Sequence, residues 1–450
     1  MNIYKNKKVF LTGHTGFKGS WLNLWLKNLG AEVFGYSLAP ITNPNHFDLL
    51  GGKSAFDGIF ADIRDRETLQ SKLIDFNPDI IFHLAAQPLV RESYKDPLGT
   101  FSSNAIGTLN ILESARNIKN LKAIVVITTD KVYENKEWIY GYRENDPLGG
   151  YDPYSASKAC AEIITDSMRK SFFNTYDFGK THNVLIATAR AGNVIGGGDF
   201  SIDRLIPDLI KGILNNKTTE IRNPNATRPW QSVLEPLRGY LMLGEKLLLG
   251  ESEFATSFNF GPNIDGNLKV SSMLNIAKNS WDKISYTIQC DKSNPHEANL
   301  LMLDTAKAHH LLSWKPILDT RESIENTIIW YRNFIENNAI ISQNQLENYL
   351  QHTQKSSMGG DSKLGENPRI YFGFYSALNL KIYSNFHNFK SNLTILKAHI
   401  FYSNINAKFI DSRFLEFYKY TNHIKISTPI TKTPSKIPKN ISLNRPKCVA

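Results

Sequence analysis

A glycine-rich turn near the amino terminus constrains the fold of this chain more than any other feature. Gly13, Gly16 and Gly19 are spaced three residues apart and directly follow a strand-like segment, Lys8–Thr12. Glycines at this spacing allow a tight turn and let the backbone approach a diphosphate at the amino terminus of the next helix. The motif therefore predicts a dinucleotide-binding turn, and the alternative is a simple connector.

The first half of the chain alternates short β-branched segments with amphipathic segments, which is typical of a parallel sheet covered by helices on both faces. We therefore predict an α/β fold, a Rossmann-type doubly wound parallel sheet. The predicted strands are Lys8–Thr12, Glu32–Tyr36, Gly58–Ala61, Ile80–Ala85, Ala123–Thr129 and Val184–Ala189. The predicted helices are Gly19–Asn28, Arg66–Phe76, Thr100–Ala115 and Pro153–Ser171.

The amino-acid composition changes twice along the chain, and these changes predict three regions. Residues 1–189 are expected to form the cofactor-binding Rossmann domain. Residues 190–354 are expected to form a smaller substrate domain that is partly interleaved with the first, because Ser257–Phe260 could return to the first sheet. Residues 355–450 form a basic extension to which no structure or function is assigned. It holds 15 Lys/Arg against 4 Asp/Glu, whereas residues 1–354 hold 37 and 38, so no nucleic-acid partner is predicted for residues 1–354.

Further features predict a cytoplasmic protein without a membrane span. No apolar run approaches the ~18 residues that cross a bilayer. The segment before Val9 leaves no room for a signal peptide. The scattered Cys160, Cys290 and Cys448 show no CxxC spacing, which favours reduced thiols over disulfides or a zinc site.

Tyr154 and Lys158 are the first candidate catalytic pair. On the predicted helix that begins at Pro153, positions i and i+4 lie on one face, so phenol and ammonium can point into the same cleft. A nearby ammonium favours phenolate, the base that takes a hydroxyl proton as hydride leaves. The spacing alone also occurs by chance.

Thr129, Asp130 and Lys131 follow a predicted buried strand. The carboxyl ends of strands hold ligands in open α/β sheets. Asp130 and Lys131 would supply an acid and an amine base side by side at the cleft. The alternative is a surface turn with a solvated ion pair.

Several single residues carry weaker signals. Asp62 could accept a hydrogen bond from an adenine amino group, or it could be a helix N-cap, since Asp62 and Asp65 both precede the helix at Arg66. His83 lies inside an apolar strand and is interpreted as a core histidine. Guanidinium groups suit diphosphates, and Asn and His suit sugar hydroxyls, although each such residue alone is more often structural. The candidates of this kind are Asn193, Arg204, Arg228, Asn263 and His296.

Taken together, the motifs resemble the extended short-chain dehydrogenase/reductase family over about residues 5–350. The residues that carry the resemblance are Thr12–Trp21, His83–Gln87, Thr129–Lys131, Asp146–Lys158, Ala189–Asp199, Arg228–Gln231 and Asn294–Leu301. Within the family the chain resembles the CDP-glucose 4,6-dehydratases, which show Asp-Lys where dehydratases of dTDP- or GDP-sugars usually show Asp-Glu.

The resemblance implies NAD as cofactor, a nucleotide-sugar substrate, no metal, and a homodimer or higher homo-oligomer. NAD rather than NADP is implied by the resemblance alone, because Tyr36-Ser37 offers no acidic residue to a ribose. The implied cofactor-binding residues are Gly13, Thr15, Gly16, Phe17, Gly19, Asp62, Ile63, Leu84, Ala85, Ala86, Tyr154, Lys158 and Val194. The implied substrate-binding residues are Gln87, Asn193, Arg204, Arg228, Asn263 and His296.

The implied reaction is an internal redox dehydration. Tyr154, aided by Lys158 and Thr129, takes the 4-hydroxyl proton as C4 is oxidised. Lys131, or a base that it activates, then takes the C5 proton while Asp130 protonates the departing 6-hydroxyl, and hydride returns to C6. Two alternatives stay open: another dehydratase or a 4-epimerase of the same family, and an NAD-binding protein with a nucleic-acid-associated tail.

Overall fold

The computed structural model describes residues 1–221, 223–263, 266–288 and 300–358. Residues Met1–Lys363 belong to one compact unit. Its strands are β1 (Lys8–Thr12), β2 (Glu32–Ser37), β3 (Gly58–Phe60), β4 (Ile80–His83), β5 (Ala123–Ile127), β6 (Leu185–Ala191), β7 (Val194–Ile195), β8 (Thr219–Ile221), β9 (Thr227–Pro229), β10 (Gln231–Ser232), β11 (Ser257–Phe260), β12 (Asn267–Lys269) and β13 (Tyr286–Ile288).

The helices of the described residues cover the sheet and build the second half of the unit. They are α1 (Phe17–Asn28), α2 (His46–Leu49), α3 (Arg66–Phe76), α4 (Val90–Lys95), α5 (Pro97–Phe101), α6 (Gly107–Ala115), α7 (Pro153–Phe172), α8 (Leu205–Leu214), α9 (Leu234–Leu248), α10 (Val270–Ser280), α11 (Ala306–Leu312), α12 (Thr320–Asn337) and α13 (Ser342–Met358).

Within the described residues, seven strands form the main sheet in the order β11-β6-β5-β4-β1-β2-β3. Every neighbouring pair is parallel. The order reverses between β1 and β4, and ligands of doubly wound sheets bind at the carboxyl ends of strands at such a reversal. The predicted fold class is confirmed.

The central strands are apolar on both faces because both faces are covered. Side chains alternate across a strand, so Val9 and Leu11 of β1 pack on one side with α1 and α9. Phe10 of the same strand packs on the other side with α3, α6 and α7. These two cores explain the continuous apolar runs in the sequence.

Three predicted strands end earlier than expected, and Gly58–Ala61 is one of them, since it ends at Phe60. The predicted strand Ile80–Ala85 ends at His83. The next amide, of Leu84, still bonds the carbonyl oxygen of Thr12 in β1 at 3.2 Å, but the amides of Leu84 and Ala85 also lie 3.1 Å from the Thr12 hydroxyl, which accepts both. The predicted strand Ala123–Thr129 ends at Ile127, and a 3-10 turn, Asp130–Val132, follows it. At the ends of β4 and β5 a threonine hydroxyl bonds the backbone where the strand stops.

The predicted helix Thr100–Ala115 is also different, since a π-helical segment, Ser102–Ile106, separates α5 from α6. Asn104 lies in this segment and is fully buried. Its amide donates to the carbonyl oxygen of Gln87 at 3.0 Å and to the hydroxyl of Ser157 at 2.9 Å. The π segment thus joins the loop after β4 to helix α7.

The predicted return of Ser257–Phe260 to the first sheet is confirmed, since β11 pairs with β6. The division into residues 1–189 and 190–354 stays a prediction. His296 and most of the basic extension lie outside the described residues. Among the residues described, no helix has both the length and the apolar character to cross a bilayer.

Candidate active site

The glycine turn after β1 packs so closely that side chains would collide. Gly13 has φ +75°, and a Cβ there would lie 2.8 Å from the amide nitrogen of Ala85. A Cβ on Gly19 would lie 2.0 Å from the carbonyl oxygen of Gly13. Glycine is therefore required at both positions, and the turn brings β1, α1 and the loop after β4 into direct contact.

The surroundings of this turn fit a dinucleotide. Gly16 is the N-cap of α1, and no side chain of the described residues caps that helix. The amides of its first turn can therefore donate to diphosphate oxygens. The Thr15 hydroxyl lies 2.6 Å from that of Ser37 at the end of β2, where the ribose of a dinucleotide binds in this fold. Leu84–Ala86 follow β4 on the other side of the strand-order reversal.

Asp62 and Ile63 follow β3 at the same edge. Asp65, not Asp62, is the N-cap of α3. The Asp62 carboxylate instead pairs with Arg64 at 2.5 Å, and this hydrogen bond lowers the pKa of Asp62. Ile63 is buried against Gly107. Adenine binding by Asp62 stays a prediction.

His83 has the surroundings of a core histidine. The hydroxyl oxygen of Thr12 accepts hydrogen bonds from the amides of Leu84 and Ala85. Its own proton is therefore directed to Nδ1 of His83, which lies 2.8 Å away. Nε2 then donates to Thr108 at 3.1 Å. Burial lowers the pKa of His83 to about 3, and the ring is neutral at physiological pH.

The structure brings Tyr154, Lys158 and Thr129 together. Tyr154 and Lys158 lie on the first turns of α7, which Asp152 caps, and both are buried. The side chain of Thr129 acts on the phenol of Tyr154 and lowers its pKa. The Lys158 ammonium donates to the carbonyl oxygen of Ile127 at 3.0 Å, at the end of β5.

The pKa of Tyr154 differs from our expectation. We predicted that Lys158 would lower it, but burial raises the pKa of Tyr154 to about 12. The side chain of Thr129 lowers it, and the charge of Asp130 raises it further. Burial also lowers the pKa of Lys158 to about 8. Since the ammonium is directed to Ile127, its effect on the phenol is smaller than the sequence spacing suggested.

Asp130 is a buried acid in the same cluster. Its Oδ1 accepts a 2.9 Å hydrogen bond from the hydroxyl of Thr129, and a Cβ on Gly192 would lie 2.8 Å from Oδ2. Burial raises the pKa of Asp130, while Lys131 and Thr129 act in the opposite direction. A raised pKa favours the protonated form, which suits a proton donor.

Cations surround Asp130 from several elements. Lys131 is its neighbour in the 3-10 turn, and the charges of Lys18 and Arg228 act on its carboxyl. Lys18 is part of α1, and burial lowers its pKa to about 7. Arg204 pairs with Asp199 at 2.9 Å, and its charge acts on both Tyr154 and Lys18. This set of cations suits an anionic substrate.

A small cavity lies beside Asp130. Gly192 and Pro229 line it together with Asn263, a predicted substrate residue. Asn193 follows Gly192 in the chain. Its carbonyl oxygen accepts a hydrogen bond from the amide of Gln231, and Gln231 also pairs with Val194 of β7. Asn263 lines this cavity and Asn193 is next to it in the chain, and the substrate roles of Asn193, Arg204, Arg228 and Asn263 stay predictions.

Two predicted substrate residues contribute less to the described site. The Gln87 side chain bonds the backbone of Leu89 in its own loop and the hydroxyl of Thr100 on α5, so its role in substrate binding stays a prediction. His296 lies outside the described residues.

Sequence reasoning missed Lys18 and Glu162. Lys18 stands inside the glycine motif, where only backbone roles were considered. Glu162 stands four residues after Lys158, on the same face of α7, and this spacing could have identified it.

The chain is similar to known enzymes over most of its described length. The family model for GDP-mannose 4,6 dehydratase matches residues 10–327. The CDP-glucose 4,6-dehydratase of Salmonella typhimurium is 43% identical over 79% of this chain and 99% of its own. The dTDP-D-glucose 4,6-dehydratase of Dictyostelium discoideum is 26% identical over 73% of this chain and 82% of its own.

Solved structures show the same fold. The UDP-glucuronic acid 4-epimerase of Bacillus cereus, in complex with UDP-glucuronic acid and NAD, matches with a TM-score of 0.61 and 25% identity, over 73% of this chain and 99% of that chain. The family model spans the glycine turn, the Asp130 cluster and Tyr154, and the 43% identical relative is matched almost end to end. The chain therefore belongs to the GDP-mannose 4,6 dehydratase family of extended short-chain dehydrogenases/reductases.

Proposed function

We propose that this chain is an NAD-dependent lyase, a CDP-glucose 4,6-dehydratase that forms CDP-4-keto-6-deoxyglucose. One observation carries the proposal: Thr129, whose hydroxyl donates to the buried acid Asp130, also lowers the pKa of the candidate base Tyr154, so acid and base meet at one residue. Oxidation at C4 requires a base, and elimination of water requires an acid close to it. The 43% identity to a CDP-glucose 4,6-dehydratase supports the choice of nucleotide.

The first step is oxidation at C4. When bound, NAD supplies the acceptor for the C4 hydride, a positive charge beside the site, and the hydride that later reaches C6. Tyr154 takes the proton of the 4-hydroxyl. Thr129 and the charge of Arg204 lower the pKa of Tyr154, and the Lys158 ammonium, one turn along α7, is assigned to support the phenolate that this transfer needs. Burial of the three residues excludes water from the proton transfer.

The second step is elimination of water. The 4-keto group makes the C5 proton acidic, and Lys131 removes it. The C6–O bond breaks as Asp130 donates its proton to the departing hydroxyl, which leaves as water. The raised pKa of Asp130, caused by burial, favours the protonated form that this step requires. As hydride reaches C6, Lys131 returns the proton to C5, and the 4-keto-6-deoxy sugar is complete.

Substrate binding is assigned to the cations and the cavity around Asp130. Arg204 and Arg228 suit the diphosphate, since a guanidinium fork matches its oxygens. Asn263, which lines the cavity, and Asn193, which follows the cavity-lining Gly192, suit sugar hydroxyls.

We also propose a homo-oligomer, with a second copy on the faces of α5, α6 and α7. Leu98, Leu109 and Ile163 remain exposed there, and exposed apolar patches mark interfaces. Sedimentation velocity on the full chain should give at least a dimer.

A cytoplasmic location remains part of the proposal, because Cys160, the cysteine among the described residues, is a free thiol.

The second candidate function is a 4-epimerase, since the solved structures of this fold include several epimerases. An epimerase returns hydride to C4 and has no use for an acid at C6. The test incubates the full chain and NAD with CDP-glucose, dTDP-glucose, UDP-glucose and GDP-mannose. We expect a 4-keto-6-deoxy product from CDP-glucose without net change in reduced nicotinamide. A C4 epimer would establish the second candidate, and stoichiometric reduced nicotinamide would indicate a simple dehydrogenase.

A further inference from the structure

Glu162 is a buried carboxylate that the mechanism above does not use. It follows Lys158 by four residues and Tyr154 by eight, so the three side chains lie on one face of α7. Its side chain is only 3% exposed. A charge buried so deeply is costly unless it is fully paired.

Four donors surround the carboxylate. Thr128 donates to Oε1 at 2.5 Å and Thr188 donates to Oε2 at 2.7 Å. Arg190 of β6 adds a two-point ion pair, with Nε 3.0 Å from Oε1 and Nη2 2.9 Å from Oε2. Burial opposes the charged form, but Arg190 and the hydroxyls outweigh it and lower the pKa of Glu162. Glu162 is therefore a permanent negative charge.

This charge is anchored to the strands that end at the site. Thr128 directly precedes Thr129, whose hydroxyl donates to Asp130 and whose side chain lowers the pKa of Tyr154. Arg190 also donates to the hydroxyl of Tyr133 at 2.8 Å. The network thus fixes the catalytic face of α7 against β5 and β6.

Lys158 is the cation that Glu162 acts on. Burial lowers the pKa of Lys158 to about 8, and the negative charge of Glu162 raises it. The other titratable groups around Lys158 supply no negative charge that would keep its amine protonated. Lys18 of α1 is itself a cation that Lys158 repels, and His83 of β4 is neutral. The phenol of Tyr154 is neutral until it loses its proton.

We propose that Glu162 is a positioning residue for Lys158: its anchored carboxylate keeps the ammonium charged and held against the Ile127 carbonyl, ready to support the Tyr154 phenolate. This inference rests on the proposed dehydratase function. It assigns to the Arg190–Glu162 pair an electrostatic role in the reaction, in addition to its role in packing.

The test compares pH profiles of kcat for CDP-glucose, from about pH 6 to about pH 10, in the full chain loaded with NAD. In Glu162→Gln the alkaline limb should move to lower pH by about one unit or more, because the nearby negative charge that favours the ammonium is lost. KM should change little. Thr188→Val is the matched control: it removes one hydrogen bond to Glu162 but no charge, and its alkaline limb should stay in place.

The single substitution leaves Arg190 buried without its partner, so the double variant Glu162→Gln/Arg190→Gln is measured as well. It should fold better and still show the shifted limb, since Glu162 is the charge that raises the pKa of Lys158. An unmoved limb in both variants, with kcat lowered equally at every pH, would overturn the inference and leave a packing role. A wild-type enzyme that forms no 4-keto product would instead overturn the proposed function.

Discussion

The hydroxyl of Thr129 donates a 2.9 Å hydrogen bond to Oδ1 of Asp130, and the same side chain lowers the pKa of Tyr154. One threonine therefore connects the base of the proposed oxidation with the acid of the proposed elimination. Thr129 occupies this position because it caps the 3-10 turn that follows β5. The two half-reactions thus share one structural element.

Replacing Thr129 should therefore slow the oxidation. The single proton of the Thr129 hydroxyl, donated to Asp130 in the structure, has to turn to the Tyr154 phenolate once that forms. In Thr129→Val this hydrogen bond cannot form, which for a charged group corresponds to about 10- to 100-fold in rate. The measurement is the single-turnover rate of nicotinamide reduction with CDP-glucose. Thr129→Ser keeps the hydroxyl and should retain most of the rate. Equal rates for the valine and serine variants would contradict the role given to this hydrogen bond.

Asp130→Asn should make the protein more stable at neutral pH while it removes turnover. Burial raises the folded-state pKa of Asp130, so the native state binds its proton more tightly than the unfolded state does. The stability that protonated Asp130 contributes is therefore fully present below the ordinary pKa of an unfolded-state Asp. It is lost as the pH rises through the folded-state pKa. The free energy of unfolding, measured in denaturant, should rise in Asp130→Asn at about pH 7 and approach the wild-type value in acid.

Asp62→Asn is the matched control for this experiment, and it should change the free energy of unfolding at about pH 7 in the opposite direction. The hydrogen bond from Arg64 lowers the pKa of Asp62, so its contribution is present above the ordinary Asp pKa and is lost in acid. The variant should lose stability at about pH 7, by a small amount because the pair is partly exposed. A loss of stability at neutral pH in Asp130→Asn as well would show that Asp130 is not held in a destabilised charged state.

Residues 364–450 should be dispensable for catalysis. Every described residue of the candidate site lies before Lys363, where the first compact unit ends. A chain that ends at Lys363 should keep kcat and KM for CDP-glucose. A chain that ends at Ile341 is the control, since it also lacks α13, whose Tyr349 donates to the buried Glu235 at 2.8 Å. That shorter chain should unfold at lower temperature. A folded chain ending at Lys363 that cannot turn over would show that the removed residues complete the site.

Local patterns in the sequence were enough to predict the fold. Lys8–Thr12, Arg66–Phe76 and Ser257–Phe260 have the predicted bounds, because burial on one or both faces leaves a repeating apolar pattern. The glycine turn could be recognised because its close contacts permit no side chain. Helix spacing singled out Tyr154 and Lys158, the end of a buried strand singled out Asp130-Lys131, and the family resemblance then implied the reaction in which they act.

The remaining features depend on contacts between distant residues. The π segment exists where Asn104 bonds Gln87 and Ser157, and no local pattern encodes that pairing. The pKa of Tyr154 depends on burial and on where the Lys158 ammonium points, neither of which follows from their spacing.

Lys131 should separate the two half-reactions. Because it is assigned only to the C5 proton, Lys131→Met should still oxidise C4 and then stop before water is lost. General acid–base groups contribute about 10²- to 10⁴-fold, so mixing this variant with NAD and CDP-glucose should give a single-turnover rise in reduced nicotinamide with little 4-keto-6-deoxy product. Tyr154→Phe is the control, since it should abolish both signals.

In a competing role, Lys131 would hold the substrate diphosphate, or it would stabilise the charged form of Asp130, since its positive charge lowers the pKa of that carboxyl. Lys131→Met would then weaken substrate binding and slow both steps together, without a rise in reduced nicotinamide at saturating CDP-glucose. Asp130→Asn distinguishes the two roles further. If Lys131 and Asp130 act in the same elimination, both variants should accumulate reduced nicotinamide to a similar level. If only the Asp130 variant does so, Lys131 is a binding residue, and the base for the C5 proton must be another group.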